Sequence, residues 1–224
     1  MEQYFDIILK NSLFQDIGVE ELRSMLGCLS AKTVQVSKGE PVFLEGDAAG
    51  FIGLVLEGSI QVVRDDYFGE RTLLTHAESG ELFAEAFSCA GVDTMPVSAY
   101  ALRASKVMLF DFQKMMTVCS NACGFHNRLV KNLLQVVAQK NLLLSRKIQF
   151  MSRKTTKEKL MAYLLDQAKQ KGSAEFTIPL DRQTLADFLG VERSAMSAEL
   201  SKLGKAGILE YKGAHFKLLK DQPQ

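Results

Sequence analysis

Histidine is scarce in this 224-residue chain, with 3 copies, and cysteine reaches only 4 without forming a Cys-x-x-Cys pair. A closed zinc site needs four converging nitrogen or sulfur ligands, and neither residue type clusters at that spacing. Cys119, Cys123 and His126 come nearest, but no further ligand completes them, so no metal or other cofactor is expected. In a reducing compartment Cys28, Cys89, Cys119 and Cys123 read as buried free thiols rather than disulfides. No apolar run approaches the ~20 residues that a membrane helix needs. The start, "MEQYFDIILKNSLF", is acidic and lacks a small-residue cleavage site, so no signal peptide is expected and the cytoplasm is the expected location. A nucleophile beside a base and a Gly-rich phosphate loop are missing too, so the chain does not read as an enzyme.

Net charge is also small, at +1, but it conceals an asymmetry. Residues 1–145 carry 12 Lys and Arg against 17 Asp and Glu, whereas residues 146–224 carry 15 against 9. A polyanion would therefore bind the last third. Hydrophobic residues make up 47% and charged residues 24%, which suits an ordinary globular protein, and the length suits two modest domains.

Between Ala31 and Phe112 short β-type runs alternate with turn signals: "KTVQV", "EPVFL", "FIGLVLEG", "SIQVVR", "RTLLTH", "VSAYALRA" and "KVMLFDF", with "SKGE", "EGD" and "ESGE" among the breaks. Such spacing predicts an antiparallel sandwich or barrel. The first ~30 residues, with "GVEELRSMLGCL", predict short helices packed on its end. From Phe112 to Ile148 the pattern becomes helical, with Val130, Leu133, Val137, Lys140, Leu144 and Ile148 recurring at spacings of three and four. Joined to an already complete β domain, this helix is expected to find its partner in a second copy of the chain; the alternative is that it lies back on the sandwich. "SRKTTKEKL" then reads as a polar, basic hinge, and Thr155 with Glu158 as a capping box opening a helix that stops at Gly172.

"LDRQTLADFLGVERSAMSAELSKL", from Leu180 to Leu203, has the spacing of two short helices joined by a turn. Asp181 is placed to N-cap the first, Ala186 to let the helices approach, and Gly190 to adopt the positive φ of the turn. Leu185, Leu189, Val191, Met196, Leu200 and Leu203 form the apolar face. Opposite it the second helix offers Arg193, Ser194, Ser197 and Ser201. Arg193 is the expected base reader, because a guanidinium can donate twice to guanine O6 and N7 in a major groove; a surface arginine or a phosphate contact is the alternative. Ser194 and Ser197 can meet bases or phosphates, and Arg182, Thr184 and Lys202 are expected on phosphates. "AGILEYKGAHFKLL" predicts a hairpin wing in which Lys212 and His215 touch the backbone of the nucleic acid or simply close a sheet.

Taken together, β domain, long helix and winged helix-turn-helix resemble the CRP/FNR family of bacterial transcription regulators over almost the whole chain. "LEGSIQV" followed by "GELFAE" carries the resemblance in the β part. It implies an α+β chain with an N-terminal antiparallel β-roll of jelly-roll type, a long dimerisation helix and a C-terminal winged helix-turn-helix. The implied domains are 1–111 for effector sensing, 112–149 for dimerisation, 150–153 as a hinge and 154–224 for DNA binding. Implied partners are double-stranded DNA, a second copy of the chain, a small-molecule effector and, as a candidate, RNA polymerase.

Departures from the family pattern shape the rest. Cyclic AMP-binding members are similar to one another in a Gly-Glu pair followed about ten residues later by Arg-Ser or Arg-Thr; here Ala84-Glu85 and Met95-Pro96 stand at those places. A cyclic phosphate would lose its charge-assisted partner, and Pro96 has no N–H to offer. Members with an iron–sulfur cluster carry several cysteines near the N-terminus, where this chain has only Cys28. The expected effector is therefore something other than cyclic AMP, a small aromatic or hydrophobic molecule held by Phe83, Glu85, Phe87, Cys89, Met95, Val97 and, from the long helix, Asn127 and Lys131. A roll packed shut, or one tuned by Cys89 redox chemistry, is the alternative, as is a ligand-binding module without DNA function. Where the resemblance implies Arg-Glu-x-x-x-Arg in the recognition helix, this chain has Arg193, Ser194 and Ala198, which implies an inverted-repeat target of different sequence.

Overall fold

A computed structural model describes residues 2–68, 71–117 and 124–219. Cys119 and Cys123 lie outside the described residues. The chain divides into two compact units, residues 1–139 and 140–224.

In the first unit, helices α1 (Phe5–Lys10) and α2 (Val19–Cys28) precede an eight-stranded roll. Its strands are β1 (Lys32–Val36), β2 (Pro41–Phe43), β3 (Phe51–Glu57), β4 (Ser59–Asp65), β5 (Arg71–Glu78), β6 (Leu82–Phe83), β7 (Ser98–Ala101) and β8 (Ser105–Asp111), with the short helix α3 (Glu85–Cys89) between β6 and β7. They form two four-stranded sheets, in the orders β1-β8-β3-β6 and β2-β7-β4-β5, with antiparallel pairing throughout. The predicted runs coincide with the strands, and only the two-residue β6 escaped the pattern.

Strand β3 explains why "FIGLVLEG" is apolar without alternation. Side chains of a strand point to opposite faces in turn, and both faces of β3 are covered. Ile52, Leu54 and Leu56 enter a core with α1, α2 and the helix that follows the roll, while Val55 and Phe51 enter the core between the sheets.

After β8 come α4 (Phe112–Met116) and α5 (Gly124–Met151). The sequence predicts one helix from Phe112, but Thr117 adopts an extended conformation (ψ 125°) that ends α4. The early turns of α5 also correct the expectation that this helix lacks a partner in its own chain. Leu129, Leu133 and Val136 are buried in the first unit's core, and the buried Asn132 amide donates to the carbonyls of Leu13 (3.0 Å) and Gln15 (2.9 Å). Arg128 pairs with Glu21 on α2. No helix among the described residues is long and apolar enough to cross a membrane.

The second unit holds the end of α5, then α6 (Thr156–Lys171), β9 (Glu175–Thr177), α7 (Arg182–Leu189), α8 (Arg193–Lys205), β10 (Leu209–Lys212) and β11 (His215–Leu218). The capping box forms as the sequence predicts. Thr155 N–H donates to Glu158 Oε2 and Glu158 N–H to Thr155 Oγ1, each at 3.1 Å. Gly172 ends α6 in the left-handed region. Strands β10-β11-β9 make the wing. Residues 150–153, expected as a hinge, begin with Phe150, which is 5% exposed and packs its ring against Tyr163 of α6 and Phe188 of α7.

Candidate nucleic-acid interface

Helix α7 is started by Asp181, whose Oδ1 accepts from Thr184 N–H at 2.8 Å. That backbone bond holds the carboxyl below the usual aspartate range. The helix is stopped by Gly190, which takes φ 60° and ψ 53°. The turn is braced from two sides: Lys159 Nζ donates to Gly190 O at 3.3 Å, and Met151 Cε lies 3.0 Å from where a Cβ on residue 190 would project.

Because the turn is fixed, α8 buries one side only. Met196, Leu200 and Leu203 pack with Leu185, Ala186 and Leu189 in the unit's core. Arg193, Ser194, Ser197 and Ser201 are exposed, as the periodicity predicts. Ser197 Oγ donates to Arg193 O at 2.9 Å, so its hydroxyl proton is used within the helix. Lys202 is exposed and sits 2.6 Å from Glu199 Oε1. Thr184 is exposed on α7, and Lys212 is exposed at the start of the wing's tight turn, paired in register with His215.

Arg182 does something the sequence reading missed. Its Nη2 donates to Gly213 O at 2.8 Å in the wing turn, and its guanidinium lies over the rings of Tyr211 (4.8 Å) and Phe216 (5.1 Å). Nη1 is buried without a hydrogen-bond partner among the described residues, and burial pushes the guanidinium below the ordinary arginine value. Where the sequence leads to the expectation of a phosphate contact, the structure shows the Arg182 guanidinium joining α7 to the wing, since a planar cation stacks and donates at once. His215 is also tied down: Nε2 lies 3.2 Å from Glu175 Oε1, and Nδ1 lies 3.1 Å from Thr177 Oγ1.

In the roll, the structure brings Phe83, Met95 and Val97 into one core cluster with Ala84, with Phe87 partly buried at its edge. Phe83 is 1% exposed, Met95 1% and Val97 2%. Ala84 occupies the left-handed region (φ 65°) ahead of α3, a conformation that glycine adopts without strain. Glu85 is buried at the first position of α3. Asn127 and Lys131 are exposed on α5, and no contact of theirs joins this cluster among the described residues. Cys28 and Cys89 are free thiols, but both are exposed, which corrects the expectation of buried ones. Desolvation, then the neighbouring Glu85 carboxylate, push the Cys89 thiol up and disfavour the reactive thiolate.

Comparison with known proteins meets this geometry in both units. Residues 33–122 match the model of the cyclic nucleotide-binding domain, and residues 158–222 match that of the Crp-like helix-turn-helix domain. The chain belongs to the CRP/FNR family of transcription regulators. Within the family it is 23% identical over 191 residues to the transcriptional activator protein FnrA of Stutzerimonas stutzeri, covering 82% of this chain and 75% of that one. It is also 23% identical over 209 residues to the probable transcriptional regulator flp of Lacticaseibacillus casei, covering 92% and 91%. Its fold is similar to that of the c-di-GMP responsive global regulator CLP of Xanthomonas campestris, with TM-score 0.56, 18% identity and coverage of 91% and 100%. As a family member the chain is a transcription regulator with a DNA-binding helix-turn-helix.

Proposed function

We propose that two copies of this chain bind an inverted-repeat operator, each inserting the N-terminal turns of α8 into a major groove. The observation that carries the reading is the division of α8. Its apolar side is locked onto α7 through the Gly190 turn, while Arg193, Ser194 and Ser197 face solvent. In this reading Arg193 reads guanine, Ser194 and Ser197 adjust the contact, and Thr184, Lys202 and Lys212 hold phosphates. Selection from randomised duplexes tests it. An inverted repeat should be enriched by the parent protein and not by Arg193→Ala; enrichment of the same repeat by both would refute the role of Arg193.

The proposed effector is a small molecule other than cyclic AMP. Buried Met95 and exposed Pro96 supply no cation where the cyclic phosphate would need one. A second reading, a roll that needs no effector, is favoured by the packing of Phe83, whose ring lies 6.4 Å from Phe43 in a stacked arrangement. Operator binding measured with and without a metabolite extract separates the two.

A further inference from the structure

Two adjacent leucines on α5 have opposite fates, and this changes which residues can form a dimer seam. Leu133 is 3% exposed, while Leu134 is 69% exposed, Leu144 60% and Ile148 66%. With 3.6 residues per turn, the available stripe runs through Leu134, Val137, Asn141, Leu144 and Ile148, at spacings of three, four, three and four. Val137 is half-buried and Asn141 exposed. Relative to the pattern expected from sequence, the stripe is rotated by one residue at Leu134 and Asn141, and its polar member is Asn141 instead of Lys140.

We propose that Asn141 pairs with its counterpart in a second copy of the chain, across a parallel two-stranded seam, and fixes the alignment of the two helices. The proposal rests on the homodimer reading above and names the residue that decides its geometry. Helix α5 carries Arg128, Lys131, Arg146 and Lys147 besides Lys140, and no Asp or Glu anywhere between Asp111 and Glu158. Ion pairs between the two copies of α5, the usual way of setting orientation, are therefore excluded.

Polarity then selects between the arrangements. Parallel pairing places the Asn141 amides in one layer, where each can donate and accept across the two-fold axis. Antiparallel pairing sets each amide against Leu144 of the other helix, desolvated and without a partner. An asparagine at one core position of a helical seam fixes register and number of strands while weakening the seam.

Sedimentation of the full chain tests this with Asn141→Leu and Leu144→Asp, accompanied by oxidative cross-linking of Ile148→Cys mapped by peptide mass. Leu144 and Ile148 are exposed in the single chain, so both changes leave its fold intact, as circular dichroism would verify. The expected results are a monomer for Leu144→Asp and, for Asn141→Leu, a dimer at least about tenfold tighter that also populates larger species. In the Ile148→Cys protein a disulfide between the two introduced thiols should form readily, and its yield should fall by at least about half when Asn141→Leu is added. A parent chain that sediments as a monomer would overturn the homodimer reading and this proposal with it, whereas a Leu144→Asp protein as dimeric as a dimeric parent would leave that reading standing and overturn the α5 seam. If Leu144→Asp is monomeric, the pairing of Asn141 is overturned by an Asn141→Leu dimer that is unchanged, weaker, or tighter without change of species, and by absence of the cross-link in Ile148→Cys.

Discussion

Gly53 of β3 and Phe83 of β6 stand opposite one another in register, and the Phe83 ring occupies the space a side chain at residue 53 would need. A Cβ there would fall 2.2 Å from Phe83 Cζ. The ring cannot retreat, because it is fully buried and stacked against Phe43. Gly53→Ala is therefore expected to destabilise the first unit by about 1–3 kcal/mol through overpacking. Denaturant unfolding would measure this, and Gly53→Ala/Phe83→Leu should recover part of the loss, since neighbouring changes couple. Simple additivity of the two would show that the ring is not the obstacle.

Arg182 and Lys212 are both basic residues of the helix-turn-helix unit, and the structure separates their expected effects. Loss of the Gly213 hydrogen bond and of the Tyr211 and Phe216 contacts should make Arg182→Ala about 2 kcal/mol less stable. Arg182→Lys should not restore it, because an ammonium lacks the planar face. Neither change should alter the slope of DNA affinity against salt. Lys212→Ala should leave stability unchanged and reduce that slope by about 1, the signature of one phosphate contact. Salt titrations of operator binding, run beside thermal unfolding, check both statements.

The same two residues show where sequence reasoning stops. Turn signals and short β-type runs located seven of the roll's strands, and caps such as Asp181, Thr155 and Gly190 were legible because each is a local device read from a few residues. The stacking of Arg182 depends on Tyr211 and Phe216, far along the chain, and no local pattern announces it. The burial of Leu133 on α5 is hidden for a related reason. The pair Leu133-Leu134 allows more than one helical face, and only the packing of Leu133 into the first unit's core leaves Leu134 exposed. Strand β6 was invisible because two residues carry no periodicity. Cys28 and Cys89 were placed inside from residue type alone, which is a statistical preference and not a constraint.

Gly190 is held in the left-handed region at the turn on which α8 is hung. Alanine there is disfavoured by about 1–2 kcal/mol because Cβ approaches the following carbonyl. It would also meet Met151 Cε at 3.0 Å. Gly190→Ala should lower stability by that amount and weaken operator binding, while Met151→Ala/Gly190→Ala should recover only the smaller steric part. Full recovery in the double variant would place the cause in the side-chain contact and not in the backbone.

Acid should loosen the helix-turn-helix unit through its caps. Glu158 is held below the usual glutamate range, first by the Thr155 N–H that it accepts, and Asp181 below the usual aspartate range by Thr184 N–H. A carboxyl with a lowered folded value binds its proton more weakly in the folded chain than in the unfolded one. Its contribution is complete above the unfolded value, about 4.3 for Glu, and is lost as pH falls through the folded value. Glu158→Gln keeps an acceptor for the capping box but cannot titrate. Denaturant midpoints measured from neutral pH down to the acid range should fall more gently for Glu158→Gln than for the parent, and more gently still with Asp181→Asn added. Parallel profiles for all three proteins would mean that neither cap is coupled to the acid transition.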